Sequence, residues 1–421
     1  MSNVPALFWL AALPLKHREK STQNSSIVEE DRNILYSFLK DKLSVSGDLA
    51  EVHQFAFPEF KVGTLDSLVT ASEDLVRMDS TLESSVSRLV ASLKGLLPAD
   101  GPQLRSSLLV NDATPEAYIK SFQWNIMKYR TDRTVTEIAE TLVTEVQQID
   151  NLLKARLATY NQAKAAVTAV ERKSTGSLLT KDLAPYVKAE DFAVNGSEFM
   201  TTLLVVVPRL AKGEWETSYE HLAEMVVPRS SRLLAEEDEH ALYNVTVFKK
   251  VREAFVRAAG EQKFTVRAYT FDEASQRATA ETNEAMAGDM KAQWSALVRL
   301  LKTNFGELFS AWIHLKVARL FVDSVLQYGL PPQFLALILK PTASKDMDKS
   351  EKRLRLAFLQ HLEQLQLPGI SQVDIATAIH SASNADDAET AEEAELWNAL
   401  NMANRDQEPF VKVPLKWTVP S

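Results

Sequence analysis

The sequence predicts a helix-rich α+β fold, and three observations lead to that prediction. The 421 residues include only 12 glycines, which favours long helices over many tight turns. Two long segments show helical periodicity, and the segment between them contains β-branched and aromatic runs. This order predicts an elongated dumbbell: a two-segment foot, a long antiparallel helical neck and an inserted α/β head.

The first long helix is predicted to begin at Thr134 and to reach about Arg172, a stretch without proline or glycine. Its apolar residues follow a heptad pattern in two seams. The first seam is Ala139, Val146, Leu153, Tyr160 and Val167, and the second is Leu142, Ile149, Ala163 and Val170. At 1.5 Å per residue such a helix extends roughly 55 to 60 Å, so its apolar seam needs a partner.

The second long helical segment, from about Asp272 to Gln327, is the predicted partner. Its packing stripe has three-to-four spacing, as a buried helix face requires. The stripe consists of Met286, Met290, Trp294, Leu297 and Leu301. Gly288 weakens the helical pattern in the first half.

Between the two helices, three runs have the length and composition of strands. They are Phe199–Val207, Asn244–Phe248 and Phe264–Phe271. The acidic run Glu236–Glu239 is interpreted as a solvated turn before a strand.

The string Val-Val-Pro-Arg occurs at Val206–Arg209 and again at Val226–Arg229. The residues between the two copies have helical spacing, which predicts strand, short helix and strand, a connection long enough for parallel pairing. One recurrence of four residues does not make a structural repeat.

The outer segments contain further predicted elements. The helices are Val62–Met78 and Asp348–Leu365, and the strands are Phe8–Leu15, Phe334–Leu339 and Pro409–Val413. The acidic, alanine-rich stretch Asn384–Glu395 is predicted to be a loop. The predicted divisions are residues 1–133 (foot), 134–177 (neck helix), 178–271 (head), 272–301 (neck helix) and 302–421 (foot).

Composition narrows the class of function. There is no cysteine, which excludes disulfides, thiol catalysis and the usual zinc sites. The formal net charge of −9 argues against a nucleic-acid partner, which normally requires a basic face. The apolar run Leu7–Leu15 has no basic residue before it and is too short to span a bilayer, so the protein is expected to be cytoplasmic and not inserted in a membrane.

Motifs that carry catalysis are absent. The sequence contains no phosphate-binding loop, dinucleotide fingerprint, nucleophile elbow or His-Glu-x-x-His motif. The seven histidines are scattered, and His314, inside an aromatic helical stretch, is interpreted as structural. No catalytic, cofactor-binding or metal-binding residue is predicted.

Basic residues of the predicted head are the candidates for partner contact. Arg209 and Arg229 follow two predicted strands, while Lys249, Lys250 and Arg252 begin the predicted helix Lys249–Ala259. The candidate set is completed by Trp215. The basic patch could meet an acidic partner surface or a phosphate, or it could form only the polar face of a helix.

Several segments, in order along the chain, resemble the C subunit of the vacuolar-type proton-translocating ATPase. They are Phe8–Lys16, Phe57–Leu68, Phe122–Tyr129, Leu203–Arg209, Met225–Ser230, Leu242–Lys250 and Ala311–Pro331. The resemblance implies a non-catalytic stator subunit with foot, neck and head. It implies that the head binds a peripheral stalk made of the E and G subunits, and that the foot meets a second stalk and the N-terminal domain of the a subunit.

The same resemblance implies a role in assembly and reversible dissociation of the pump, a peripheral location on the cytosolic face of the vacuolar or endomembrane, and possible actin binding. Two other hypotheses remain open. The heptads alone would suit a coiled-coil cytoskeletal adaptor that binds actin. The basic residues alone would suit a nucleotide-using enzyme.

Overall fold

The computed structural model describes residues 6–15, 25–97, 101–192, 197–342, 347–368, 370–384 and 409–417. Long helices and two antiparallel sheets dominate these residues, which confirms the helix-rich α+β prediction. The chain divides into two compact units. Unit 1 comprises Met1–Lys154 and Val298–Ser421, and unit 2 comprises Ala155–Leu297. The dumbbell shape and the five predicted divisions stay predictions.

The two longest helices contribute residues to both units. They are α5 (Val135–Thr175) and α8 (Glu273–Tyr328). Helix α5 begins with a capping box, because Thr134 Oγ1 accepts a bond from Glu137 N at 3.3 Å and Glu137 Oε2 accepts one from Thr134 N at 3.2 Å. Helix α8 continues through Gly288, where a side chain would meet no other atom within 4 Å.

Unit 1 contains one four-stranded sheet and most of the remaining helices. Its strands are β1 (Ala6–Pro14), β2 (Ala50–Phe55), β7 (Phe334–Pro341) and β8 (Val411–Trp417). Its helices are α1 (Ser25–Lys40), α2 (Leu65–Leu96), α3 (Gly101–Ser107), α4 (Pro115–Lys120), α9 (Met347–Leu365) and α10 (Gln372–Asn384), with a π-helical turn at Asp41–Val45.

The strand order in this sheet is β2-β7-β1-β8, and all neighbours are antiparallel. Strand β1 lies inside the sheet, with Trp9 opposite Leu339 and Leu10 opposite Val413. Residues of both faces of β1 are buried, since Trp9 and Leu10 are each 0% exposed. Burial of both faces explains why β1 is apolar at every position instead of alternating with polar residues.

Several elements of unit 1 are absent from the sequence-based prediction. Strand β2 and helices α1, α3, α4 and α10 were not predicted, and α2 extends well beyond the predicted end at Met78. The predicted loop Asn384–Glu395 lies outside the described residues except for Asn384, the last residue of α10.

Unit 2 contains the second sheet, with strand order β4-β5-β3-β6 and antiparallel neighbours. Its strands are β3 (Met200–Pro208), β4 (Arg232–Glu236), β5 (His240–Phe248) and β6 (Thr265–Arg267). Its two short helices are α6 (Lys212–Ser218) and α7 (Arg252–Glu261). The predicted strand Phe264–Phe271 is therefore mostly wrong, because only Thr265–Arg267 pairs with a neighbour.

Two cores cover the faces of the unit 2 sheet. Alternate residues of β3, such as Val205 and Val207, pack with Trp215 of α6 and Phe255 of α7. Leu204 and Val206 face the other way and pack with residues of the segment before the sheet, including Leu178. The period of two in burial follows from strand geometry.

The chain path in unit 2 consists of two similar halves. The first half runs from β3 through a 3₁₀ turn (Arg209–Ala211) into α6 and on to β4, and the second runs from β5 through a 3₁₀ turn (Lys249–Val251) into α7 and on to β6. In each half the final strand pairs with the first strand of the other half. This arrangement is a split β-α-β pair.

The twin Val-Val-Pro-Arg strings occupy opposite sides of β5. Val206 lies in β3 and pairs with Leu242, whereas Val226 forms an isolated antiparallel bridge with Val247. The predicted strand at the second copy is wrong, since Val226 belongs to no strand. Both copies are antiparallel to β5, so they run in the same direction but have β5 between them.

Candidate partner-binding surface

The structure does not place the predicted contact residues in one patch. Strands β3 and β5 pair with Met200 opposite Phe248 and Pro208 opposite His240. Arg209 follows one end of this pair, and Lys249 follows the other end. With roughly 3.4 Å per residue along a strand, the two turns are separated by about 25 to 30 Å.

Arg209 belongs to an ion-pair group at its end of the sheet. Its Nε lies 3.4 Å from Glu236 Oε1, and Lys212 Nζ lies 3.3 Å from Glu236 Oε2. The backbone N of Arg209 donates to the carbonyl oxygen of Glu239 at 2.9 Å. One carboxylate therefore neutralises part of the positive charge of this turn.

The acidic run Glu236–Glu239 is more than the predicted solvated turn. Besides the contacts of Glu236, Glu237 accepts a hydrogen bond from Lys181, whose side chain is only 3% exposed. Lys181 Nζ also donates to Tyr186 Oη at 2.9 Å. Burial opposes the charged form of Lys181, but its hydrogen bonds to Glu237 and Tyr186 outweigh this effect and raise its pKa.

Lys249, Lys250 and Arg252 lie together on an exposed turn at the other end of the strand pair. Among the described residues, none of the three forms an ion pair. The backbone N of Lys249 donates to the carbonyl oxygen of Phe199 at 2.8 Å. Phe199, the first residue of the predicted strand Phe199–Val207, precedes β3 and is 70% exposed.

Arg229 occupies a left-handed backbone conformation with φ of 58°. Its backbone N donates to Glu220 Oε1 at 2.9 Å, and the hydroxyl of Tyr219 donates to the same oxygen at 2.9 Å. Both bonds lower the pKa of Glu220, and the bond from the Arg229 backbone has the larger effect. The side chain of Arg229 is exposed and forms no ion pair with any residue that the structure describes.

Trp215 is a core residue, so the prediction that it contacts a partner is wrong. Its side chain is 0% exposed, and its ring packs against Tyr219, Phe255 and Phe264. Its Nε1 donates to Ser231 Oγ at 3.0 Å. Helix α6 turns this position toward the sheet, so Trp215 cannot touch a partner while unit 2 is folded.

His314 of unit 1 is buried, as expected of a structural histidine, with 1% of its surface exposed. Its Nε2 accepts a hydrogen bond from Asn125 N at 3.1 Å, and its Nδ1 donates to the Ser310 carbonyl oxygen at 2.7 Å. Rings of Phe122, Trp124 and Tyr129 surround it. Burial lowers the pKa of His314 to about 4, which keeps it neutral at pH 7.

The described residues include no cluster of three or more histidine, aspartate or glutamate side chains that could hold a metal ion. Within the same residues, every helix is too short or too polar to cross a bilayer. The candidate functional features of the described residues are therefore exposed surfaces and buried polar groups.

A family model described as the C subunit of the V-ATPase matches residues 8–411. The chain belongs to this family of V-ATPase C subunits. The match covers residues of both units, including Arg209–Lys212 and Lys249–Arg252. The resemblance seen in the sequence is thereby confirmed, and family membership connects the chain with proton transport.

Curated relatives agree with this assignment. The chain is 42% identical over 342 residues to the V-type proton ATPase C subunit of Caenorhabditis briggsae, covering 81% of this chain and 88% of the relative. It is 40% identical over 367 residues to the V-type proton ATPase C 1 subunit of Rattus norvegicus, covering 87% and 91%.

Among solved structures, the chain was matched to the cytoplasmic N-terminal domain of the V-ATPase I subunit, a homolog of the a subunit. The match has 12% identity and a TM-score of 0.27, and it covers 83% of this chain and 96% of that chain. A TM-score this low supports no conclusion about fold or function.

Proposed function

We propose that this chain is a non-catalytic stator subunit of the soluble sector of the V-ATPase. In this role it links the peripheral stalks, formed by the E and G subunits, to the N-terminal domain of the a subunit. It also takes part in assembly and reversible dissociation of the pump, on the cytosolic face of the vacuolar or endomembrane. The observation that carries the proposal is the family match over residues 8–411.

Stator function requires stiffness and more than one attachment, because rotary catalysis applies torque between the rotor and the static parts. The long helices α5 (41 residues) and α8 (56 residues) contribute to the stiffness that a stator needs. Two modest contacts on one stiff body reinforce each other through effective concentrations on the order of millimolar, and loss of one weakens the whole attachment. This coupling suits an attachment that can be released.

The test is binding of the full chain to purified E–G heterodimer and to the N-terminal domain of the a subunit, separately and together. We expect binding to each partner, and tighter retention when both are linked in one assembly. ATP turnover by the chain alone serves as the enzymatic control and should equal the buffer blank. Failure to bind E–G, or turnover above the blank, contradicts the proposal.

The actin-binding adaptor is the second candidate, and the heptads of α5 favour it. A homodimeric coiled coil needs its seam exposed in the monomer, yet Ala139 and Val146 are each 1% exposed. Cosedimentation of the full chain with filamentous actin tests actin binding separately from any coiled-coil pairing.

A further inference from the structure

Methionine is the only sulfur-containing residue type in this chain, which has nine methionines and no cysteine. The structure describes the side chains of Met78, Met127, Met200, Met225, Met286 and Met290. Met127 is 94% exposed, whereas Met225 and Met286, the next most exposed of these, are 40% and 39% exposed. Among the described methionines, the sulfur of Met127 is therefore the one that dissolved oxidants reach most easily.

Met127 lies at the tip of a loop in unit 1 that hydrogen bonds close across its base. Trp124 Nε1 donates to the carbonyl oxygen of Tyr129 at 2.9 Å. Inside this closure, the backbone N of Lys128 donates to Asn125 Oδ1 at 3.1 Å. Neither bond uses the side chain of Met127, so the conformation of the loop does not depend on the chemistry of that side chain.

The loop is also fixed to the two longest helices. Lys128 Nζ forms ion pairs with Glu145 of α5 and Glu307 of α8. The hydroxyl of Tyr129 donates to Glu145 Oε2 at 3.0 Å. These contacts hold the backbone that follows Met127 in place, which keeps its side chain in solvent.

We propose that Met127 is a reversible redox-modification site, at which a peroxide converts the thioether to the sulfoxide. The sulfur donates an electron pair to one peroxide oxygen, so that an S–O bond forms while the O–O bond breaks. The proton of the transferred oxygen passes to the departing hydroxide, which leaves as water. Sulfoxide reductases reverse the step with a dithiol, which is oxidised to a disulfide as the oxygen leaves in water.

Oxidation at this position changes the chemistry of the surface and leaves the fold intact. Ile126, the preceding residue, is 61% exposed, so two consecutive exposed side chains of the loop are apolar. A sulfoxide makes one of them polar. Oxidation of a methionine disrupts structure where the side chain is packed, and Met127 has little packing to lose. Its modification is therefore a reversible switch of surface polarity.

The first experiment measures which methionine is oxidised first. Full-length protein is treated with limiting hydrogen peroxide, the reaction is stopped with free methionine, and peptides are mapped by mass spectrometry. We expect Met127 to gain oxygen at least about threefold faster than Met225 and Met286. Equal or slower oxidation of Met127 overturns the proposal.

The second experiment measures surface polarity and folding together. Oxidised wild type and Met127→Gln, a polar replacement of similar length, should both elute earlier than untreated protein in hydrophobic-interaction chromatography. Their melting temperatures should equal that of untreated protein, and treatment with a sulfoxide reductase and a dithiol should restore the elution of the oxidised wild type.

Met127→Leu is the matched control, because it keeps an apolar side chain that peroxide does not oxidise. Its elution should not change at the peroxide dose that shifts the wild type, whereas Met225→Leu should shift as the wild type does. A full shift in Met127→Leu, or a lower melting temperature after oxidation of Met127 alone, overturns the proposal.

Discussion

Asp79 on α2 and Lys316 on α8 form a buried ion pair in unit 1. Lys316 Nζ donates to Asp79 Oδ2 at 2.9 Å, and both side chains are less than a tenth exposed. Asp79 also accepts bonds from Trp312 Nε1 at 2.8 Å and Arg319 at 3.1 Å. Lys316 has a further acceptor in the carbonyl oxygen of Pro414 at 3.1 Å. This group joins α2, α8 and β8.

Neutralising Asp79 is expected to destabilise unit 1 strongly. Asp79→Asn leaves Lys316 buried without its counter-ion, and breaking such a pair costs about 3 to 5 kcal/mol. The measurement is the free energy of unfolding in urea, followed by tryptophan fluorescence. Asp74→Asn is the control on the same helix, because Asp74 pairs at 3.3 Å with the exposed Arg77 and should cost less than about 1 kcal/mol. Similar losses in both variants contradict this account.

His314 is expected to make unit 1 sensitive to acid. Its folded pKa of about 4 lies below the unfolded value of 6.5, so below pH 6.5 the unfolded state binds the additional proton. Its contribution to stability is complete above pH 6.5 and is lost as pH falls toward 4. At pH 5 the loss is about 2 kcal/mol.

Unfolding in urea at pH 7 and pH 5 measures this effect in the wild type and in His314→Gln. The variant should lose that part of the pH dependence which His314 provides. His221→Gln, a change at an exposed histidine, is the control and should behave as the wild type. If His314→Gln keeps the pH dependence of the wild type, His314 is not the source of the acid sensitivity.

Trp215→Phe is expected to reduce stability without reducing partner affinity. The change removes the hydrogen bond to Ser231 and part of the ring that fills the core, which together cost about 1 to 3 kcal/mol. Ser231→Ala removes the hydrogen bond alone and should cost less. Binding of E–G per folded molecule should equal that of the wild type. Weaker binding by fully folded Trp215→Phe would restore Trp215 as a contact residue.

The heptad seam of α5 is expected to pack against other residues of the same chain and not against a second copy. Leu153 and Tyr160 are each 8% exposed, so neither is available to a second copy in the folded protein. Light scattering should therefore show a monomer, and Leu153→Lys should lower stability without changing the mass. Arg156→Ala, at an exposed position of the same helix, is the control. A wild-type dimer that Leu153→Lys dissociates would favour the adaptor hypothesis.

Features that depend on local geometry could be predicted from the sequence. Heptad spacing identified α5, the Thr134–Glu137 pair marks its start, and apolar runs located β1, β3, β5 and β7. These patterns are readable because side-chain direction repeats with the period of the helix or strand. Ordered segments along the chain also sufficed to identify the family.

Contacts between distant segments emerged only in the folded chain. The antiparallel pairing of β3 with β5 places Arg209 and Lys249 at opposite ends of the strand pair, although both are predicted contact residues. The orientation of α6 on the sheet buried Trp215, and packing of α2 on α8 brought Asp79 to Lys316 across 237 positions of sequence. Strand order and helix packing depend on which apolar faces cover one another, and local periodicity shows that a face is apolar without showing what covers it.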